Sequence, residues 1–314
     1  MIRSYWRPKD RIIEGDLSAL KSKKIVWVDC YNPTDDELKQ ISELTKVTVT
    51  DLKEHLVDYE RPNTFEFDTH SLIVFGAPVL DHNAFKVTSF AIFLFNNKNI
   101  VTVRTEQMAG LEKFSNKLLE KNPKYFDFHT KVVRSMIESV VDDYFAFLDV
   151  FQEEADTVEE AVFTSPHASS IQRVFKLKKQ MLFFHKSLLA NREVITAIEK
   201  AYVTKLSRKE LYDFRDIYND IVQLIDTEET LRDILTGVID IYLSSVSNTT
   251  NQVIKKLTVV ASYIMIPTLI ASIYGMNFKY LPEVFWKWGY PFALCLMFFS
   301  IMVLYFYFKK VKWL

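Results

Sequence analysis

Apolar positions along this chain follow three rhythms in turn. In the first 128 residues they come in short runs, as in strands. Ile25–Val28 is one such run, and it leads through Asn32-Pro33 to Thr34, with Glu37 three residues later. A hydroxyl residue followed by Glu at that spacing is a capping-box start, so a helix is predicted there. Ser71–Val79 and Val87–Phe95 read as strands, and Asn96-Asn97-Lys98 between Val87–Phe95 and Asn99–Arg104 marks a hairpin. A helix over 107–121 closes this part. The pattern predicts an α/β sandwich.

Beyond residue 130 the period becomes helical. Residues 130–163 carry apolar positions at helix spacing and a dense acidic stretch of Glu153, Glu154, Asp156, Glu159 and Glu160, ended by Thr164-Ser165-Pro166-His167. From 167 to 266 there is no proline and a single glycine, Gly237, so long helices are expected. One is placed at 168–201, antiparallel to its predecessor, and the next from near 208. In the latter, Phe214, Ile217, Ile221, Leu224, Leu231, Val238 and Ser245 form a seam with spacings of three, four and seven. Such a seam packs either on its own domain or against other copies of the chain.

The third rhythm is continuous. Leu257–Tyr274 and Tyr290–Phe308 are uncharged stretches of 18 and 19 residues. As helices each is about 27–28 Å long, close to the hydrocarbon thickness of a bilayer. Lys255 and Lys256 precede the first, and Lys309, Lys310 and Lys312 follow the second. The segment between them holds only Lys279 and Lys287, partly balanced by Glu283, and is rich in interface-type aromatics (Tyr280, Trp286, Trp288, Tyr290). Lysine placement therefore predicts that both termini are cytoplasmic, with the short loop outside.

Charge sharpens this division. Residues 251–314 carry seven Lys/Arg and one Glu, whereas residues 1–250 carry 32 Lys/Arg and 39 Asp/Glu. An acidic soluble part argues against nucleic acid and suits cations. The two cysteines, Cys30 and Cys295, offer no disulfide framework or zinc pair. The N-terminus has no apolar signal stretch. His55, His70, His82, His129, His167 and His185 show no metalloprotease spacing, and no phosphate loop or nucleophile elbow occurs, so an enzyme is not expected.

The two apolar stretches differ in kind. The second is bulky all round, as a lipid-facing helix is. In the first, positions 251, 258, 265 and 272 are Asn, Thr, Met and Ser, and positions 254, 261, 268 and 275 are Ile, Ala, Thr and Gly. This polar and small stripe is either a pore lining or ordinary close helix packing. Two helices cannot enclose water, so a pore would need several copies. No carboxylate or lysine lies within either stretch, so any cation would be held through its water shell by amide and hydroxyl oxygens, which suits magnesium.

At Tyr274-Gly275-Met276-Asn277 the sequence resembles the CorA family of magnesium channels, whose Gly-Met-Asn motif ends the first of two C-terminal spans. Tyr242–Asn251, Val141-Asp142-Asp143-Tyr144, Phe214-Arg215-Asp216, Glu60-Arg61-Pro62 and the basic end Lys309–Leu314 extend the likeness over the chain. The resemblance implies an α+β membrane protein that assembles as a funnel-shaped homopentamer. Its expected parts are a cytoplasmic α/β domain (1–128), antiparallel long helices (129–206) and a stalk helix (207–256) continuous with a pore-lining span (257–276). An outer loop (277–289), a second span (290–308) and a basic cytoplasmic tail (309–314) would follow.

By the same resemblance Asn277, shaped by Gly275 and Met276, forms an outer selecting ring. Asn251 forms an inner ring, Thr268 and Met265 line the pore, and Ile254 and Leu257 make a hydrophobic gate. Ile254 stands where methionine is common. Met265-Ile266-Pro267-Thr268 places proline one residue later than usual, and the outer loop reads Leu281-Pro282-Glu283-Val284 in place of Met-Pro-Glu-Leu. Glu283 would attract cations to the mouth. Asp216, with Asp81 as its partner, would bind regulatory Mg2+ between subunits; without the family, Asp213, Asp216 and Asp220 are simply one acidic helix face. The implied function is Mg2+ influx across the cell membrane, closed by cytoplasmic Mg2+, with Co2+ or Ni2+ as further cargo. The competing reading is a membrane-anchored metal sensor that does not conduct.

Overall fold

The computed structural model describes residues 1–8, 11–21, 24–81, 84–120, 126, 128–164, 167–206, 208–277, 279 and 282–313. They form two compact units, Met1–Ile239 and Asp240–Leu314.

The first unit is built on a sheet of β1 (Ile2–Trp6), β2 (Ile13–Gly15), β3 (Val26–Tyr31), β4 (Asn63–Glu66), β5 (His70–Asp81), β6 (Ala84–Phe95) and β7 (Ile100–Arg104). The order is β2-β1-β3-β7-β6-β5-β4, and every pair is antiparallel except β3 with β7. The expected hairpin joins β6 to β7, with Lys98 at φ 67° in the tight turn. Period-two alternation sorts the side chains. Val26, Val28 and Cys30 join Leu38, Ile41 and Leu52 of α1 (Asp35–Thr45) and α2 (Val49–Glu54) in one core. Trp27 points the other way, against Tyr5 and Phe114 of α3 (Ala109–Glu120). Both faces of β3 are buried, as expected of a strand with a parallel neighbour. The capping box at Thr34 and Glu37 is present.

The parallel pair is fastened by charge. Arg104 of β7 is buried and meets Asp29 of β3 through Nε and Nη2, at 3.1 and 2.8 Å, with Glu112 of α3 at 3.1 Å.

On the far side of the sheet lie α4 (His129–Thr164) and α5 (Ala168–Glu199). Contacts from Tyr144 to Ser187 and from Glu154 to Arg173 show that the two run antiparallel. Two of the family-like motifs are explained here. Asp143 accepts from the Gly110 N–H and from Lys113, tying α4 to α3. The Tyr144 hydroxyl meets Ser187 and Asn191, and Asn191 exchanges two hydrogen bonds with the Gly76 backbone of β5. In the second, Glu60 meets His55 at 2.7 Å and its N–H donates to Ser89. Ser165 and Pro166 of the expected helix break lie outside the described residues.

The seam on α6 (Phe214–Tyr274) is resolved in favour of packing on its own domain. Phe214, Ile217, Ile221, Leu224, Leu231 and Val238 are buried by the chain itself, whereas Ser245 is not. After Val238 no residue of α6 is buried until Val259.

Candidate functional site

The second unit contains the end of α6 and α7 (Gly289–Lys310). Both helices hold segments long and apolar enough to cross a membrane, and within those segments only 6% and 11% of residues are buried. A core helix of a soluble protein would be mostly buried, so the exposure points to lipid or further protein around them.

α6 touches α7 along one side only. Val259 is buried, and Tyr263, Ile266, Pro267, Ile270 and Tyr274 are half-buried. The ring of Tyr263 meets Phe308 edge-on at 6.1 Å. The Tyr263 hydroxyl is buried without a hydrogen-bond partner among the described residues. Asn251, Ile254, Thr258, Ala261, Met265, Thr268, Ser272 and Gly275 are all exposed. At 3.6 residues per turn they lie on roughly the opposite side of the helix. Leu257, 68% exposed, falls at the edge of the same open face. The stripe read from the sequence therefore lies on the side of α6 turned away from α7, with the apolar Val260, Ile264, Leu269 and Ile273 exposed beside it.

The hydroxyls on that face are oriented by the helix. Thr258 Oγ1 donates to the Ile254 carbonyl at 2.8 Å and Thr268 Oγ1 to the Ile264 carbonyl at 2.7 Å. Their protons are thus committed to the backbone, the i−4 bond that threonine often makes within a helix. At these two threonines only lone pairs face outward.

At the end of α6 the Gly275 N–H still reaches the Ala271 carbonyl at 2.9 Å, and Asn277 is exposed beyond it. Gly275 has no positive φ, and a Cβ there would come no nearer than 3.2 Å to the Ala271 carbonyl. Among the described residues a Cβ there would press on the Ala271 carbonyl without overlapping it. Gly289 differs, because a Cβ would sit 1.9 Å from the Glu283 carbonyl oxygen. The missing side chain lets the short turn Pro282–Val284, and with it Glu283, approach the start of α7. Sequence reading passed over Gly289, although glycine is rare in this chain. Tyr280 and Leu281 of the expected loop lie outside the described residues.

In the first unit, Asp216 stands 79% exposed in the first turn of α6, with Arg134 of α4 at 3.9 Å. Arg134 Nε also donates to the Asp213 carbonyl. Burial, followed by the nearby carboxylates of Asp216 and Asp142, raises the pKa of Asp220. The acidic face read as Asp213, Asp216 and Asp220 thus also includes Asp142 of α4, which only the fold brings near. Among the described residues no group of three or more His, Cys, Asp or Glu is placed to hold a metal. Asp81 ends β5 opposite Ala84, and its side chain lies outside the described residues.

The family model described as "CorA-like Mg2+ transporter protein" matches residues 22–310. The chain is 34% identical to the cobalt/magnesium transport protein CorA of Thermotoga maritima, over 100% of this chain and 90% of the relative. It is 29% identical to the protein of the same description from Methanocaldococcus jannaschii, over 96% of each. The complete structure of the CorA magnesium transporter from Methanocaldococcus jannaschii superposes with a TM-score of 0.89 at 26% identity, covering 100% of this chain and 99% of that one.

Proposed function

Because the chain belongs to the CorA-like Mg2+ transporter family, we propose that it carries Mg2+ through a membrane along the open face of α6, with Co2+ as a second cargo. The relatives from Thermotoga maritima and Methanocaldococcus jannaschii are cobalt/magnesium transport proteins, and Ni2+ would be tested beside Co2+. One observation carries the reading: the polar and small stripe of α6 is the side turned away from α7, and its threonines present lone pairs. A hydrated cation presents water hydrogens outward, and those hydrogens need acceptors. Magnesium sheds its water reluctantly, so acceptors without formal charge would guide it with its shell intact.

The dimensions agree. From Asn251 to Gly275 a helix spans about 36 Å at 1.5 Å per residue, somewhat more than the ~30 Å hydrocarbon layer. Asn251 would then stand at the inner mouth, and Asn277, with Gly275 and Met276, at the outer one. Thr268 and Met265 would line the passage between them. Ile254 and Leu257 would form an apolar constriction that closes by shedding water, and Glu283 would concentrate cations at the outer mouth. One copy leaves this face bare, so several copies would have to close around it; five is the number the family resemblance implies. The lysines beside both helices favour a plasma-membrane protein with both termini in the cytoplasm. Membrane potential would then drive influx.

For regulation, Asp216 and Asp81 would bind Mg2+ between neighbouring copies. Oxygen-only donors fit a hard cation. Bound Mg2+ would hold the assembly closed, and its loss would shift the population toward opening.

Purified protein in liposomes tests the reading directly. Wild type should pass Mg2+, with Co2+ and Ni2+ as competitors, and Asn277→Ala should lose most of that flux. A wild-type protein that binds Mg2+ yet moves none would sink conduction and leave the non-conducting membrane sensor.

A further inference from the structure

Midway along the packed part of α6 the apolar seam is interrupted by one carboxylate. Glu228 is fully buried, with Leu224 and Leu231 buried on the adjoining turns. Its Oε2 lies 2.6 Å from Nδ1 of His185 on α5, and its Oε1 is buried with no hydrogen-bond partner among the described residues. The charges that act most on it, besides His185, are Arg232 and Glu229 of α6 itself. Further along the same antiparallel contact, Lys178 of α5 donates to Thr236 of α6. These two polar ties fix the register of α6 against α5.

Stability alone does not account for such a pair, since apolar side chains of similar volume usually hold buried helices at least as well. What the pair adds is dependence on a proton. With one proton shared between Nδ1 and Oε2 the pair is neutral overall, whichever atom holds it. Without that proton a buried carboxylate is left with a single hydrogen bond and a bare second oxygen, which is poorly compensated away from water.

We propose that His185 and Glu228 form a proton-controlled latch that holds α6 in register on α5 while the pair carries one proton and loosens the contact when that proton is lost. The helix so released is the one that carries the stripe described above, so the pH around Met1–Ile239 would bear on it. The direction of the effect follows from burial, the largest influence on Glu228, which raises its pKa above the ordinary 4.5. A carboxyl with a raised folded value contributes stability that is present below its unfolded value and is lost as pH rises through the folded one. The latch therefore weakens on the alkaline side.

Hydrogen exchange on the full-length protein in lipid nanodiscs reads the latch without any ion flux, so its outcome is separate from that of the transport assay. After correction for intrinsic exchange, amides of residues 224–235 in wild type should open several-fold more often at about pH 9 than at about pH 6. Glu228→Gln keeps the shape and one hydrogen bond but cannot ionise, and its opening should not change with pH. Glu228→Met, which fills a similar volume without a carboxyl, supplies the same comparison should the first variant not fold. A wild-type protein with no pH dependence in this segment, or variants that keep the wild-type dependence, would overturn the latch.

Discussion

Arg104 shows how much one side chain can hold. It is buried where β3 and β7 run parallel, and its guanidinium has Asp29 as a two-point partner and Glu112 as a third contact. Asp29→Asn would leave the cation underpaired. We expect a loss of roughly 3 kcal/mol, the low end for breaking a buried pair because Glu112 remains, read as a lower denaturation midpoint of the full-length protein. Gly289 works by absence. An added Cβ would overlap the Glu283 carbonyl, so Gly289→Ala must push the outer turn away at a cost of about 1–3 kcal/mol. Mg2+ flux should fall while protein yield changes little. Flux equal to wild type would mean that the position of Glu283 does not matter.

At the scale of the element, α6 is two helices in one. Over Phe214–Val238 its apolar seam is satisfied within the chain, whereas over Asn251–Gly275 one side meets α7 and the other is exposed among the described residues. Single cysteines distinguish the two sides of the second part. Replacements at Thr258, Met265 and Ser272 should react with a membrane-impermeant thiol reagent, and Mg2+ should slow the reaction. Replacements at Val259, Tyr263 and Ile266 should stay protected. The Cys295→Ser background removes the exposed native thiol; Cys30 is buried. The reverse pattern would move the aqueous path to the other side of the helix.

At the scale of the whole molecule, the Mg2+ site proposed at Asp216 would join assembly to regulation. A cation held between copies stabilises the assembled form by mass action, worth about 2.7 kcal/mol per site at a hundredfold excess over Kd. Added Mg2+ should therefore raise the melting temperature of wild type. In the double variant Asp81→Asn, Asp216→Asn most of that rise should vanish, and flux should resist inhibition by Mg2+ on the side of the first unit. A full Mg2+-induced rise in the double variant would place the regulatory ion elsewhere.

Features set by neighbours along the chain were legible before any fold was seen. The capping box at Thr34 and Glu37, the hairpin at Asn96–Lys98, the long helices, the two uncharged stretches and the polar stripe each depend on residues a few positions apart, where period and local hydrogen bonding act directly. The short β1, β2 and β4 carried too little pattern to stand out, because they are strands only by virtue of the partners they pair with. Asp142 beside Asp220, the Arg104–Asp29 tie, His185 opposite Glu228 and the close approach of Gly289 to Glu283 join separate elements or turns, and only tertiary packing sets those meetings. The seam of α6 needed the fold for the same reason. A stripe of apolar residues states that something must cover it, and burial by α6's own chain decided what did.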